Sequence, residues 1–208
     1  MSRIDIVLIR HGWSEGNEKR LLYGRLDVPL TEEGIEKLRE SREMYDYPET
    51  DRYYSSPLLR ARQTFETIYP DKKLDGILDG FVEMSFGDVE GYPESYADGY
   101  KSYFKRWSAG ETLWNGENMA SIRMRTDKAM KDLVDSLYRE GLESATVVCH
   151  SCTIKSILMN IGYMNEDFMS VFVPQGMGFR VSVEYDGKNM HVISCTATPA
   201  EIESRIIC

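Results

Sequence analysis

Apolar positions along this chain fall into two patterns, short unbroken runs and longer stretches with helical spacing. Ile6-Val7-Leu8-Ile9 is a β-branched run that predicts a buried strand, and Ala145-Thr146-Val147-Val148-Cys149 predicts a second. Arg52 to Ser55 and Leu74 to Leu78 read as shorter strands. Between the runs the period changes. Ile35, Leu38, Arg42 and Tyr45 recur as on one helix, with Thr31 as its N-cap, Glu32 and Glu33 in the first turn, and an end before Pro48. Ala61, Thr64, Phe65 and Ile68 define a second helix, expected to start with Ser56 at the cap and Pro57 in the first turn. Met119, Ile122, Thr126, Ala129, Met130, Leu133 and Leu137 give a long amphipathic helix between Gly116 and Gly141. Thr153 to Leu158 is helical in character, and Gly162 breaks it. Phe168–Val173, Gly178–Tyr185 and Met190–Cys195 read as strands, with Asp186-Gly187 as the hairpin turn between the last two. The segment from Tyr92 to Gly116 keeps no steady period but carries Tyr96, Tyr100, Tyr103, Phe104, Trp107 and Trp114, and reads as an excursion over the sheet.

The chemistry stands where two strands end. The first run leads into Arg10-His11-Gly12, with Ser14, Gly16 and Asn17 following, and the 145–149 run leads into His150-Ser151. Ligands of an open α/β sheet bind beyond the carboxyl ends of its strands. Arg10 offers a planar fork of donors for phosphate or carboxylate, and Gly12 permits close backbone approach. On the tripeptide alone, a satisfied strand-end histidine is as good a reading as a site. The chain has only three histidines, however, and two of them end its two clearest buried strands. Their convergence on one sheet edge points to nucleophilic or acid–base work. Arg60, near the start of its helix, lies where an anion would bind. His191 falls within a hairpin strand and is given no function.

Composition narrows the classes. With 208 residues, 42% of them hydrophobic, the chain suffices for one domain with a full core. A net charge of −9 argues against sequence-independent nucleic-acid binding, while a local arginine cluster can still hold a small anion. No run approaches the length of a membrane span, and the N-terminus lacks the layout of a signal peptide. Four cysteines are too few for a disulfide framework, so reduced thiols and a cytoplasmic location are expected.

Taken in order, the motifs resemble the histidine phosphatase superfamily, the group of phosphoglycerate mutase and fructose-2,6-bisphosphatase. The resemblance runs through Arg10-His11-Gly12 with Asn17, Gly24-Arg25 to Asp27, Pro29-Leu30-Thr31 with Gly34, and Ser56-Pro57-Leu58 with Arg60-Ala61 and Gln63-Thr64. It continues through Glu83, Phe86-Gly87, Glu90-Gly91, Gly116-Glu117 with Arg125, and Val147-Val148 before His150. It implies a nucleophilic His11 that takes the phosphoryl group, with Arg10, Asn17, Arg60 and protonated His150 around the phosphoryl oxygens. Glu83 matches the acid that protonates the leaving oxygen and then activates water; the residues alone do not separate it from Glu90. Three positions depart from the family pattern: Trp13, Ser151 and Val89.

The expected fold is therefore α/β, a three-layer sandwich with a largely parallel central sheet and helices on both faces. Residues 1–208 would form a single domain, with a small cap insertion at about 80–116. The expected activity is metal-independent, cofactor-free hydrolysis of a small phosphate ester, with no nucleic-acid or membrane partner. Mutase-type phosphoryl transfer is the runner-up, and an inactive relative that only binds a phosphorylated ligand is a further alternative. Mutases of the family carry a basic pair in the cap, for which Lys105-Arg106 is at best an altered version. Other chemistries weigh less. Cys149-His150-Ser151-Cys152 has Cys-x-x-Cys spacing but leaves Arg10-His11 unexplained; a zinc site lacks its second ligand pair; Ser151 lacks a nucleophile elbow.

Overall fold

The computed structural model describes residues 1–97, 100–164, 167–168 and 170–199. Strand β1 (Ser2–Arg10) is followed by a short helix α1 (Glu15–Glu18) and by α2 (Glu32–Met44). Next come β2 (Arg52–Ser55), α3 (Leu59–Ile68) and a two-residue β3 (Gly76–Ile77). Three 3₁₀ turns and α4 (Tyr100–Ser108) then lead to α5 (Met119–Glu140). Strand β4 (Ser144–Cys149), α6 (Ser151–Asn160) and the hairpin β5 (Gly178–Tyr185) and β6 (Met190–Thr198) complete the described chain. The sheet order is β3-β2-β4-β1-β5-β6. The first four strands are mutually parallel, and β5 and β6 close one side in antiparallel register. The expected α/β sandwich with a mainly parallel sheet is the one found.

The period of two in the strands sorts the core. Along β1, Ile4, Ile6 and Leu8 pack on the face covered by α5 and α6. Val7 and Ile9 pack on the other face, with Leu38 of α2 and Ala61 and Phe65 of α3. In β4, Val147 and Cys149 join the first face and Val148 the second. Both faces of these strands are covered, so the sequence shows unbroken apolar runs rather than alternation.

Three expectations are corrected. The helix at 59–68 does not start at Ser56: its N-cap is Leu58, and the Leu59 amide is taken by the Asp27 carboxylate at 2.7 Å. The strand expected over Leu74–Leu78 shrinks to two residues, because the Asp75 carboxylate, in place of a ladder carbonyl, accepts from Tyr53 N at 2.8 Å. Phe168–Val173 is not a strand. Phe168 lies in a turn, Val171 makes a single bridge and 172–173 are irregular, while Met169 lies outside the described residues. Phe168 buries against the 80–116 segment instead, stacked on Phe104 at 5.2 Å and against Trp107 at 4.8 Å, while Phe172 stays half exposed. Other expectations hold. Thr31 caps α2 by accepting from Gly34 N at 2.9 Å, and Asp186 accepts from Lys188 N and Asn189 N in the hairpin turn. Gly141 ends α5 at φ 69°, a left-handed position suited to glycine. No helix among the described residues is long and apolar enough to cross a membrane.

Candidate active site

Strand register brings the two histidines together. Arg10 is paired with Cys149 across β1 and β4, and the ladder continues as His11 N donates to Cys149 O at 3.0 Å. His11 and His150 therefore leave adjacent parallel strands side by side, with ring centroids 5.2 Å apart. Both are buried, at 2% and 0% exposure. Strand β2 ends on the same edge, where Ser56 N donates to Val148 O, and its Oγ lies 2.6 Å from His150 Nε2. Ser56 is one site residue that sequence reasoning missed, since a Ser-Pro before a helix also reads as an ordinary cap.

Apart from His150, which Ser56 holds, the polar groups here are fixed largely by backbone. The Nδ1 of His11 lies 2.7 Å from the Gly12 carbonyl, which can only accept, so Nδ1 carries the proton and Nε2 keeps its lone pair. Gly12 N donates to Thr64 Oγ1, whose hydroxyl donates to Arg60 O, tying this loop to α3. Arg60 is fully buried and gives Nη1 to Leu26 O at 2.9 Å and Nη2 to Gly24 O at 2.7 Å. Gly24 has no room for a side chain, since a Cβ would stand 1.8 Å from Met84 O, and this close approach lets the loop meet the guanidinium. Arg10 donates Nη1 to Val173 O at 2.6 Å. Asn17 accepts from Ser14 N and Ser14 Oγ through Oδ1, which leaves its amide NH₂ as donor. Glu83 accepts from Met84 N (2.9 Å), from Thr153 N (3.1 Å) and, through its other oxygen, from Cys152 N (3.2 Å). Glu83 thus sits on the N-terminus of α6, immediately after His150.

Burial dominates the electrostatics. Desolvation, then the Arg60 and Arg10 charges, hold the His11 imidazole well below its ordinary pKa, partly opposed by the Gly12 carbonyl. Desolvation, Arg60, His11 and Arg10 do the same to His150. Of five buried side-chain polar atoms without a partner among the described residues, three are Arg10 Nε, Arg60 Nε and His150 Nδ1. Unpaired buried donors cost about 1–3 kcal/mol each, so their gathering around one site marks a place built for an acceptor-rich ligand.

A cavity of about 260 Å³ opens here, walled by Arg10, His11, Asn17, Arg60 and Glu83. Leu21, Phe86, Glu94, Lys155 and Phe172 furnish further wall. Glu90 is absent from it: its carboxylate braces two loops by accepting from Leu26 N and Phe86 N. Of the three departures from the family pattern, only Ser151 reaches this cavity; Val89 is core and Trp13 lies on another groove. Cys149 is buried in the sheet's core face, where desolvation raises its pKa, and Cys149, Cys152 and Cys195 form no disulfide among the described residues; Cys208 lies outside the described residues.

The sequence profile of the histidine phosphatase superfamily (branch 1) matches residues 6–197. The chain belongs to that superfamily. It is 32% identical over 168 residues to a Hydrogenobacter thermophilus protein named as a phosphoserine phosphatase, covering 77% of this chain and 81% of that one. It is 24% identical over 201 residues to the adenosylcobalamin/alpha-ribazole phosphatase of Escherichia coli, covering 93% and 97%. Among solved structures, Bacillus stearothermophilus YhfR superposes with a TM-score of 0.74 at 22% identity, covering 91% and 95%. Phosphoserine phosphatase from Entamoeba histolytica, in complex with 3-phosphoglyceric acid, does so with 0.69 at 25% identity, covering 96% and 99%. Family and relatives together place this histidine phosphatase among the metal-independent phosphoric monoester hydrolases.

Proposed function

We propose that this chain, a single domain whose residues 80–116 form a cap, hydrolyses small phosphorylated metabolites in two transfers through His11. In the first, the Nε2 lone pair attacks phosphorus, the bond to the leaving oxygen breaks, and Glu83 supplies that oxygen's proton. In the second, water attacks the phosphohistidine and gives its proton to the Glu83 carboxylate, and the P–N electron pair returns to Nε2. The observation that carries this reading is the Nδ1–H to Gly12 carbonyl bond, which leaves Nε2 as a neutral nucleophile and stabilises the positive ring of the phosphohistidine.

Arg10, Arg60, His150 and the Asn17 amide take the phosphoryl oxygens. The free site keeps His150 neutral; a bound phosphate dianion offsets the two guanidinium charges and favours its protonated form. His150 then donates Nε2–H to Ser56 Oγ and Nδ1–H to phosphate. Positioning and charge stabilisation dominate such transfers.

Hydrolysis is preferred to mutase transfer because neither Lys105 nor Arg106 walls the cavity, and Arg106 is bound to Glu111 at 2.7 Å. Four cysteines in 208 residues, too few for a disulfide framework, support a cytoplasmic location. Phosphate release across a panel of metabolites, with and without chelator, tests the reading. Release should survive chelation and be lost in His11→Ala by about 10⁴-fold or more, the scale expected for a missing nucleophile. Full activity in that variant, or activity restored only by a divalent metal, would contradict it.

A further inference from the structure

The hydrolytic steps use every charged residue of the cavity wall except Lys155 and Glu94. Lys155 lies three residues beyond Cys152 on α6, one turn along the face that also presents Ser151 and Cys152 to the cavity. It is only 8% exposed. Its ammonium donates one hydrogen bond, to Phe168 O at 3.0 Å, lies 5.1 Å from the Phe168 ring, and makes no ion pair among the described residues. An ammonium has three N–H donors, so two remain. Buried lysines are rarely left without a close ion pair, because desolvation of the charge is costly, and Glu83 and Asp167 act on Lys155 only at longer range. Here burial holds the pKa below its ordinary value, the mark of a charge not fully compensated.

We infer that Lys155 determines specificity by binding a carboxylate on the leaving alcohol of the substrate; this rests on the phosphomonoesterase reading above. The spacing fits. Glu83, bonded to Cys152 N, marks where the leaving oxygen departs, and three residues of helix rise about 4.5 Å from there to Lys155, the span of a two- or three-carbon acid. The charge balance selects a carboxylate over a second phosphate. With Arg10 and Arg60 engaged by the transferred phosphoryl group, Lys155 is the one remaining lysine or arginine of the wall, beside Phe86 and Phe172, and Glu94 adds a negative charge to the same cavity. The nearest cation to Glu94, Arg20, is 3.7 Å away and largely exposed, so it screens that charge weakly. The carboxylate is thus gripped from α6 rather than from the cap.

O-phospho-L-serine and phosphoethanolamine differ only by a carboxylate, and their kcat/KM ratio reads the interaction directly. The wild-type ratio should favour phosphoserine by tenfold or more, fall close to one in Lys155→Met, and be largely kept in Lys155→Arg. Equal wild-type values, or a ratio unchanged in Lys155→Met, would overturn the inference. If Lys155→Met does not fold, as judged by circular dichroism, the wild-type ratio and Lys155→Arg decide. Calorimetric binding of the same two compounds separates the two readings. Absence of phosphate release from any ester would overturn the hydrolase reading alone, while tighter binding of phosphoserine, lost in Lys155→Met, would still support the carboxylate subsite. Equal binding would overturn it.

Discussion

The phosphate-facing edge of the sheet and the 80–116 segment are built in opposite ways. At the edge, three parallel strands end within one register step of each other, and His11, His150 and Ser56 follow from that register. Their side chains and that of Arg60 are polar, buried and fixed by backbone carbonyls or by one another. The 80–116 segment is held by aromatic packing: Tyr103, Phe104 and Trp107 are almost completely buried, and Trp114 stacks on Tyr103 at 5.8 Å. It gives the cavity Glu83, Phe86 and Glu94 but no cation. The contrast separates two jobs. Strand register sets the chemistry, while aromatic packing sets the shape of the space beside it.

Substitutions can break this division at graded cost to turnover. Arg60→Met should lower kcat/KM by about 10²–10³-fold, the scale of deleting one preorganised donor from a charge-stabilising site. Its pH profile should change as well. Arg60 is one of the charges holding His11 and His150 below their ordinary values, so its loss raises both pKa values. More of the nucleophile is then protonated at a given acid pH, and the acid limb of kcat/KM moves upward.

Ser56→Ala should cost about ten- to a hundredfold, since it leaves a buried imidazole nitrogen without its partner. Ser56→Thr, which keeps the hydroxyl, should recover most of that, and a pH-rate series on the two variants separates a lost hydrogen bond from general loosening. An unaltered Ser56→Ala enzyme would show that the 2.6 Å contact does not position His150.

Trp107→Ala marks the other side of the comparison. This indole is fully buried and donates to Glu117 O at 2.8 Å, so its removal should destabilise the fold by about 3–5 kcal/mol in denaturant titrations. Aryl phosphate turnover of the folded fraction should fall far less than in Arg60→Met. An equal fall would mean that the 80–116 segment, rather than strand register, holds the catalytic groups in place.

The same division explains what the sequence made legible. Arg10, His11 and His150 stand out because each follows an unbroken apolar run, and a polar residue at that place has few structural reasons to be there. Glu83 needed the family pattern, and only the fold separates it from Glu90: one carboxylate walls the cavity and the other ties loops. Ser56 was misread because a serine before proline satisfies the rules for a helix cap, while the capping is done by Asp27 from a distant loop. Phe168–Val173 looked like a strand because Phe168 serves tertiary packing around Phe104 and Trp107, and Phe172 lines the cavity, neither of which the local pattern encodes. Lys155 was invisible as a site residue. Its burial and its place on the cavity wall come from α6 lying beside Glu83, a long-range contact.

The central claim is that the phosphoryl group passes through Nε2 of His11. Glu83→Gln tests it most directly, because an amide can neither protonate a leaving alkoxide nor accept a proton from water. Alkyl phosphates should slow by about 10²–10⁴-fold, the usual contribution of general acid–base catalysis. An activated aryl phosphate, whose phenolate leaves without help, should still phosphorylate the enzyme and give a burst of phenol followed by a slow steady state. Intact-protein mass spectrometry after an alkaline quench should then find one phosphoryl group per chain, mapped to the peptide that contains His11 and absent in the double variant with His11→Ala. A burst with the phosphoryl group on another residue, or equal slowing of alkyl and aryl esters with no phosphoenzyme, would contradict the account.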